Sequence, residues 1–239
     1  MTKKNKRVLV NVLLILLLIP VVFIGNTLYG DYSNDVQQRK LTARIGQQDI
    51  SEEGLLDFAP LNGADGVNRD IIAWLRIDDT RIDYPVVQSY DNNYYLRRDL
   101  ERKYNYNGSL FLDYRSKKNF SGFLSVIYGH NMLSGMMFSD LPNFVDKKYF
   151  DDRPTGTIFT PERTYTLRFF AFANTVDGSS YYRLDFANTE DRMAYIEFIK
   201  TNADNVRDIE VDFDSKIVML STCGRALGKS RSVLFGVLE

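Results

Sequence analysis

The chain has 239 residues, with 30 lysine and arginine residues against 31 aspartate and glutamate residues and a formal net charge of −1. Because phosphate binding requires a net basic surface, this balance argues against nucleic acid as a main partner. With one cysteine, one histidine and scattered carboxylates, the sequence shows no zinc-site spacing, and we expect neither a metal nor a cofactor.

The N-terminus combines a basic tip, residues 1–7, with a long apolar run. The run from Val8 to Leu28 spans about 21 residues, or roughly 32 Å as a helix, which matches the thickness of a bilayer core. A cleavable signal peptide would have a shorter apolar core and a small-residue cleavage site. We therefore predict an uncleaved transmembrane signal anchor over residues 8–29, with the basic tip in the cytoplasm and the remainder outside the cell.

Two regions of different character follow the apolar run. Residues 30–66 are polar and helix-compatible at first and turn-rich from 61 to 66, which predicts a juxtamembrane helix and a linker. Residues 67–239 are enough for one domain with a substantial core.

Strand signals dominate this domain. Segments rich in β-branched and aromatic residues lie at 81–87, 109–113, 123–128, 157–160, 165–172, 216–222 and 232–238. The first of them contains Pro85, which suits an edge strand. The pattern predicts a mainly β fold, a closed antiparallel barrel or a sandwich with helices inserted between strands.

Helical signals are fewer. Residues 91–98 and 139–149 are short candidates, and residues 189–200 form the clearest one. In this last segment Thr189 can cap the helix. Three apolar residues are predicted to lie on one face of it: Met193, Ile196 and Ile199.

The single histidine and the single cysteine both lie at predicted strand ends. His130 follows Gly129, which we expect to end the strand and free the backbone to turn, and Cys223 follows the segment 216–222. A lone cysteine in an exported chain indicates intermolecular pairing or a free reactive thiol, and an imidazole partner would favour the thiolate. The alternatives are a small buried cysteine and a hydrogen-bonded structural histidine.

A third element of such a site is a cation. Attack on an amide carbonyl creates an oxyanion, and a guanidinium can stabilise it without losing its charge. Arg231 begins the terminal strand, and Arg225, two residues after Cys223, is the rival. Either arginine could also be an ordinary solvated charge.

The ordered set of Tyr128-Gly-His-Asn131, Leu220-Ser-Thr-Cys223 and Arg231 resembles a sortase over roughly residues 68–239. Among sortases the chain resembles class B, because it combines an N-terminal anchor with the Leu-Ser-Thr-Cys motif and a long helix between two late strands. It lacks the aspartate-proline-aromatic lid motif and the second membrane span of the class C pattern. The resemblance implies an eight-stranded β-barrel with helices inserted between strands, preceded by the transmembrane helix.

The same resemblance implies a membrane-anchored cysteine transpeptidase of Gram-positive bacteria, with its catalytic domain, residues 67–239, outside the cell. Cys223 would form a thioacyl intermediate with a C-terminal sorting signal, His130 would transfer protons and Arg231 would stabilise the oxyanion. The partners would be surface proteins or pilins that bear the signal, and the acceptor an amine of a cell-wall precursor or a pilin lysine. The residues that would line the sorting-signal groove are Asn92, Leu96, Tyr128, Ser221 and Thr222.

Two other functions are compatible with the sequence. An extracellular cysteine protease would differ only in resolving the thioester with water. A non-catalytic, membrane-tethered adhesion module would use the 15 tyrosines and 16 phenylalanines as a binding surface, although these residues suit a barrel core equally well.

Overall fold

The computed structural model describes residues 56–223 and 230–239 continuously, together with residues 3, 5, 7, 11, 17–22, 25, 29–30, 32–33, 35–36, 39–40 and 42–43. The chain divides into two units, Met1–Lys40 and Leu41–Glu239. Most of the apolar run at 8–29 and the segment containing Arg225 lie outside the described residues. Among the helices formed by the described residues, none has both the length and the apolar character needed to cross a bilayer.

Within the described part of the second unit, nine strands form one sheet. In chain order they are β1 (Ile71–Arg76), β2 (Asp83–Val87), β3 (Leu110–Leu112), β4 (Leu124–His130), β5 (Thr155–Phe159), β6 (Thr164–Val176), β7 (Asn205–Val206), β8 (Ile217–Cys223) and β9 (Ser230–Leu238).

Eight of these strands close into a barrel, as predicted. Their order is β5-β1-β2-β3-β4-β8-β9-β6, and β5 also pairs with β6, while the two-residue β7 extends the sheet from β6. The expectation of a wholly antiparallel barrel is wrong, because β2 pairs with β3 and β4 pairs with β8 in parallel. Parallel pairing requires a crossover connection, and the chain between β4 and β8 supplies one that includes helices and three strands.

Pro85 lies within the barrel at a place where its missing N–H is tolerated. It pairs with Trp74 on β1, whereas the pairing of β2 with β3 begins only at Val86. On the β3 side, β2 is therefore locally an edge at Pro85, which agrees with the preference of proline for such positions.

Helical segments precede and connect the strands. Among the described residues from 56 onward, the α-helices are α1 (Ala59–Asn62), which precedes β1, α2 (Lys147–Asp152) and α3 (Thr189–Asn202), and 3₁₀ turns span Tyr94–Arg97, Leu141–Val145 and Ser180–Tyr182. The two short predicted helices, 91–98 and 139–149, are thus mainly 3₁₀ turns, the second of them followed by α2.

The long predicted helix is present as α3, with two corrections. Its N-cap is Asn188, whose side chain accepts a hydrogen bond from the backbone N–H of Asp191, so Thr189 is already inside the helix. Met193 is 43% exposed, and Tyr195 is buried in its place together with Ile196 and Ile199. Residues two apart on a helix point to nearly opposite sides, so Tyr195 and Met193 cannot share a face.

Side chains on β8 alternate between two hydrophobic clusters. Val218 and Leu220 belong to the cluster that fills the barrel, whereas Ile217 and Met219 belong to the cluster beneath α3. A third cluster includes Leu61, which is fully buried, so the packed structure already includes part of the predicted linker at 61–66. We call the side of the sheet beneath α3 the outer face, and the functional residues are arranged with respect to it.

Candidate active site

The lone histidine and the lone cysteine lie at the ends of neighbouring strands. In the parallel pairing of β4 with β8, Tyr128 pairs with Ser221, Gly129 with Thr222, and His130 with Cys223. Paired strands run about 4.8 Å apart, so the backbones of His130 and Cys223 are adjacent although 93 residues separate them in the sequence.

Arg231 lies on the next strand of the barrel. The antiparallel pairing of β8 with β9 ends with Ser221 opposite Val233, and Cys223 lies two residues after Ser221 while Arg231 lies two residues before Val233. The three residues predicted to be catalytic thus lie at the same end of β4, β8 and β9, which are consecutive in the sheet.

The imidazole of His130 is oriented by a backbone carbonyl. Its Nε2 lies 2.8 Å from the carbonyl oxygen of Leu96, in the 3₁₀ turn that follows β2. Because a carbonyl oxygen can only accept a hydrogen bond, Nε2 carries a hydrogen and donates it. Nδ1 is then the nitrogen that remains to exchange a proton with a thiol.

The surroundings of His130 favour its neutral form. Burial lowers the pKa of the imidazole, and the positive charges of Arg97 and Arg231 lower the pKa further, while the hydrogen bond to Leu96 opposes this shift. The pKa therefore lies below the usual value of about 6.5, and the ring is mostly neutral at pH 7 before a thiolate forms.

Gly129 has a different role from the one predicted. It lies inside β4, with no left-handed backbone conformation that would require glycine. Instead, a β-carbon at this position would lie 2.4 Å from Cδ2 of Leu110 and 2.7 Å from Cδ2 of Phe138. Glycine is needed next to His130 because the barrel interior approaches the backbone closely.

A buried carboxylate, which the sequence analysis missed, organises two of the predicted groove residues. Asp113 is fully buried and accepts hydrogen bonds from Asn92 (2.9 Å), Tyr128 (3.1 Å) and Arg115 (2.8 Å). Burial alone would raise the pKa of Asp113, but the hydrogen bonds from Arg115 and Asn92 lower it overall. The arginine two residues after an aspartate at a strand end was the available signal for this pair.

A second residue missed from the sequence is Tyr182, which closes over the outer face. Its hydroxyl lies 2.7 Å from the hydroxyl of Ser221, and its ring stacks on that of Tyr128 with centroids 6.3 Å apart. One network on the outer face therefore joins Asn92, Tyr128 and Ser221 through Asp113 and Tyr182. Tyr182 lies in the connection between β6 and α3, where no local pattern indicates its position.

The remaining two predicted groove residues are placed differently. Leu96 contributes its carbonyl oxygen to His130 and is only partly buried. Thr222 is 1% exposed. It lies on the same side of β8 as Val218 and Leu220, which face the barrel interior. Thr222 therefore belongs to the barrel interior rather than to the outer-face network.

The guanidinium of Arg231 is mostly buried and is held by two contacts. Its side chain is 18% exposed, and its Nη2 lies 3.2 Å from Oδ2 of Asp177. Its Nη1 donates a hydrogen bond of 3.1 Å to the carbonyl oxygen of Ser230. A thiol, an imidazole and a fixed guanidinium on adjacent strands are the groups that acyl transfer through a thioester requires.

The part of the chain that the structure describes contains no group of three or more histidine, cysteine, aspartate or glutamate side chains able to hold a metal ion.

Comparison with known proteins shows which family the chain is similar to. Sortase B of Listeria monocytogenes is 35% identical over 174 residues, which cover 72% of this chain and 71% of that protein. The crystal structure of sortase B from Bacillus anthracis superposes with a TM-score of 0.77 at 29% identity, covering 87% of this chain and 98% of that structure. The Staphylococcus aureus sortase B–substrate complex gives a TM-score of 0.69 at 26% identity, with 72% and 81% coverage. No family model matches the sequence.

Proposed function

The chain belongs to the class B sortases, which are cysteine transpeptidases, and on this premise we propose that Cys223, His130 and Arg231 perform its acyl transfer. The observation that carries the proposal is the register, which pairs His130 with Cys223, while Arg231 lies near the start of the neighbouring strand β9.

In the first half of the proposed reaction, the Cys223 thiol gives its proton to Nδ1 of His130, and the thiolate attacks the carbonyl carbon of the scissile amide in a C-terminal sorting signal. A carbon–sulfur bond forms, and the guanidinium of Arg231 stabilises the oxyanion of the tetrahedral intermediate. His130 then transfers its proton to the departing nitrogen, the carbon–nitrogen bond breaks, and the C-terminal fragment leaves with a free amine. The enzyme retains the rest of the substrate as a thioester.

In the second half, an acceptor amine attacks the thioester and gives a proton to His130. A new carbon–nitrogen bond forms, and Cys223 leaves as the thiolate. We propose that the acceptor is an amine of a cell-wall precursor or a pilin lysine. Deletion of the gene distinguishes these acceptors, because release of one surface protein into the medium indicates wall anchoring, whereas loss of a high-mass ladder indicates pilus polymerisation.

The sorting signal would bind on the outer face. Asn92, Tyr128 and Ser221 support this location, since each belongs to the network around Asp113 and Tyr182, and Leu96 supports it through its contact with His130. In this proposal Thr222 contributes as a buried neighbour of Cys223 rather than by direct side-chain contact.

The proposal also places the chain in the membrane through residues 8–29, as a single-pass protein with its catalytic domain outside the cell. The length of the apolar run supports a membrane anchor. The intact mass of protein extracted from membranes tests it, since a chain that retains residues 1–30 fits an anchor and a chain that begins near residue 30 contradicts one.

Product analysis distinguishes transpeptidation from its alternatives. The protein is incubated with a library of sorting peptides, with and without an added amine such as triglycine. We expect cleavage in both samples and ligation to the amine where it is present. Hydrolysis alone at high amine concentration would indicate a protease, and peptide binding without cleavage would indicate an adhesion module.

A further inference from the structure

We propose that Asp177 is a positioning residue that holds Arg231 in the orientation needed at the oxyanion. The inference rests on the proposed role of Arg231 in acyl transfer. Among the residues that the structure describes, Asp177 is the carboxylate within ion-pair distance of Arg231, at 3.2 Å. No recognisable sequence pattern joins the two residues, which lie 54 positions apart.

The backbone fixes Asp177 beside the start of β9. Asp177 follows the last residue of β6, and the pairing of β6 with β9 places Thr175 opposite Arg231 and Val176 opposite Ser230. A turn follows at once, because the N–H of Ser179 donates to the carbonyl oxygen of Val176 at 3.2 Å. Asp177 therefore approaches Arg231 because of strand register and turn geometry.

This turn contains a glycine for a physical reason. Gly178 has a φ of +71°, in the left-handed region that side chains other than glycine rarely adopt. The conformation reverses the chain directly after Asp177 and keeps its carboxylate at the sheet edge. The position of Asp177 is thus determined by local backbone structure that a change at its side chain would leave in place.

Two contacts restrict the guanidinium of Arg231 at different nitrogens. Nη2 contacts Asp177, and Nη1 donates to the carbonyl oxygen of Ser230. The guanidinium is planar and rigid, so two fixed nitrogens define its plane and leave its other N–H groups for an oxyanion. Without Asp177, the contact to the neighbouring Ser230 would be the one that remains among the described residues, and the plane could rotate.

Asp177 could in principle also weaken catalysis by neutralising the charge of Arg231. Solvent exposure decides between the two effects, since Asp177 is 60% exposed while Arg231 is 18% exposed. Water screens the field of an exposed carboxylate, and such ion pairs change energies little. Orientation is more sensitive, because displacements of about 1 Å can reduce rates by 10²-fold. Positioning is therefore expected to outweigh neutralisation.

The test measures single-turnover formation of the thioacyl enzyme with the peptide that unaltered enzyme cleaves fastest. Asp177→Asn removes the charge but keeps the size and turn preference of the side chain. The matched control is Asp185→Asn, an exposed aspartate in the same connection between β6 and α3 with no ion pair among the described residues. Thermal unfolding of each variant verifies that it remains folded.

We expect Asp177→Asn to lower the maximal acylation rate about 3–10-fold with little change in the peptide concentration that gives half of this rate, and Asp185→Asn to have no effect. In an Arg231→Lys background the same substitution should have a much smaller effect, because the planar group that Asp177 orients is gone. The difference in acylation rate between Asp177→Asn and unaltered enzyme should also diminish at high salt, because salt screens the contact between Asp177 and Arg231 in unaltered enzyme. A general structural defect would show neither of these dependences.

Three results would overturn the inference. An unchanged rate in Asp177→Asn would show that Ser230 alone orients Arg231, and a faster rate would show that Asp177 restrains the enzyme. An equal loss in both arginine backgrounds would assign the effect to something other than Arg231. If unaltered enzyme forms no thioacyl adduct with any peptide, the proposed function itself fails. This outcome differs from the three above, because it is seen in unaltered enzyme and not in a variant.

Discussion

Substitution of Gly129 by alanine tests how the barrel interior supports His130, the histidine that we propose to be catalytic. The new β-carbon would lie 2.4 Å from Leu110 and 2.7 Å from Phe138, well inside the usual contact distance. Both neighbours are at most 1% exposed, so neither side chain can move into solvent. Overpacking of this kind costs about 1–3 kcal/mol. For a unit of this size, that cost corresponds to a fall in melting temperature of roughly 2–12 °C.

The activity of Gly129→Ala should fall more than its stability, because β4 must shift where it carries His130. Thermal unfolding and single-turnover acylation measure the two effects. The matched control is Gly122→Ala just before β4, where a β-carbon would approach nothing closer than 3.8 Å. This control should be as stable as the original protein or slightly more stable. If both variants unfold at the same temperature, our explanation of Gly129 is wrong.

Three other predictions concern the charges of the site. Replacing Arg231 by alanine removes a positive charge near His130, so the pKa of this single histidine should rise toward 6.5 in an NMR titration of the Cys223→Ala protein; an unchanged or lower pKa would contradict the charge arrangement. Arg231→Ala should also reduce the acylation rate about 10²–10³-fold and Arg225→Ala much less, and the reverse order in stopped-flow acylation would exchange their roles. Asn92→Ala removes a hydrogen bond from the Asp113 carboxylate and should cost about 1–3 kcal/mol by urea unfolding at pH 7. Since the folded-state pKa of that carboxyl is lowered, the deficit should shrink as the pH falls below about 3.9, and a constant deficit would refute the argument.

The strands were predictable where one face of the sheet is more hydrophobic than the other, or where β-branched and aromatic residues cluster. All seven predicted segments correspond to strands, including 216–222, which appears as β8. The strand β1 was not among them, because five of its six residues are buried and no alternation marks it. The two-residue β7 is too short for any periodic signal. Local periodicity detects elements, whereas the number and closure of the strands came from family resemblance.

Local sequence patterns do not determine which strands pair with each other. The parallel pairing of β4 with β8 joins segments separated by a long connection, and it determines that His130 and Cys223 are neighbours. Their proximity was predicted from chemistry and resemblance rather than from register. The helix cap at Asn188 was missed by one residue because asparagine and threonine are both good caps.

The supporting residues of the site were the least predictable. Asp113, Tyr182 and Asp177 all lie just beyond strands or in connections, and each contacts a residue distant in the sequence. Such contacts depend on tertiary packing, which a single sequence does not reveal. Thr222 illustrates a different limit, because family resemblance predicted a groove residue, whereas the alternation of side chains along β8 buries this threonine.

The central claim is that Cys223 forms a thioester with a sorting signal with the help of His130. Because the chain has one cysteine, intact-mass spectrometry reports any covalent adduct at a single site. The protein is mixed with the library of sorting peptides, the reaction is quenched in acid and the intact mass is measured, with Cys223→Ala and His130→Ala treated alongside. We predict a mass increase equal to the acyl part of one peptide, reversed by hydroxylamine, absent in Cys223→Ala and strongly reduced in His130→Ala. Peptide cleavage by Cys223→Ala, or an adduct that forms equally well without His130, would contradict the account.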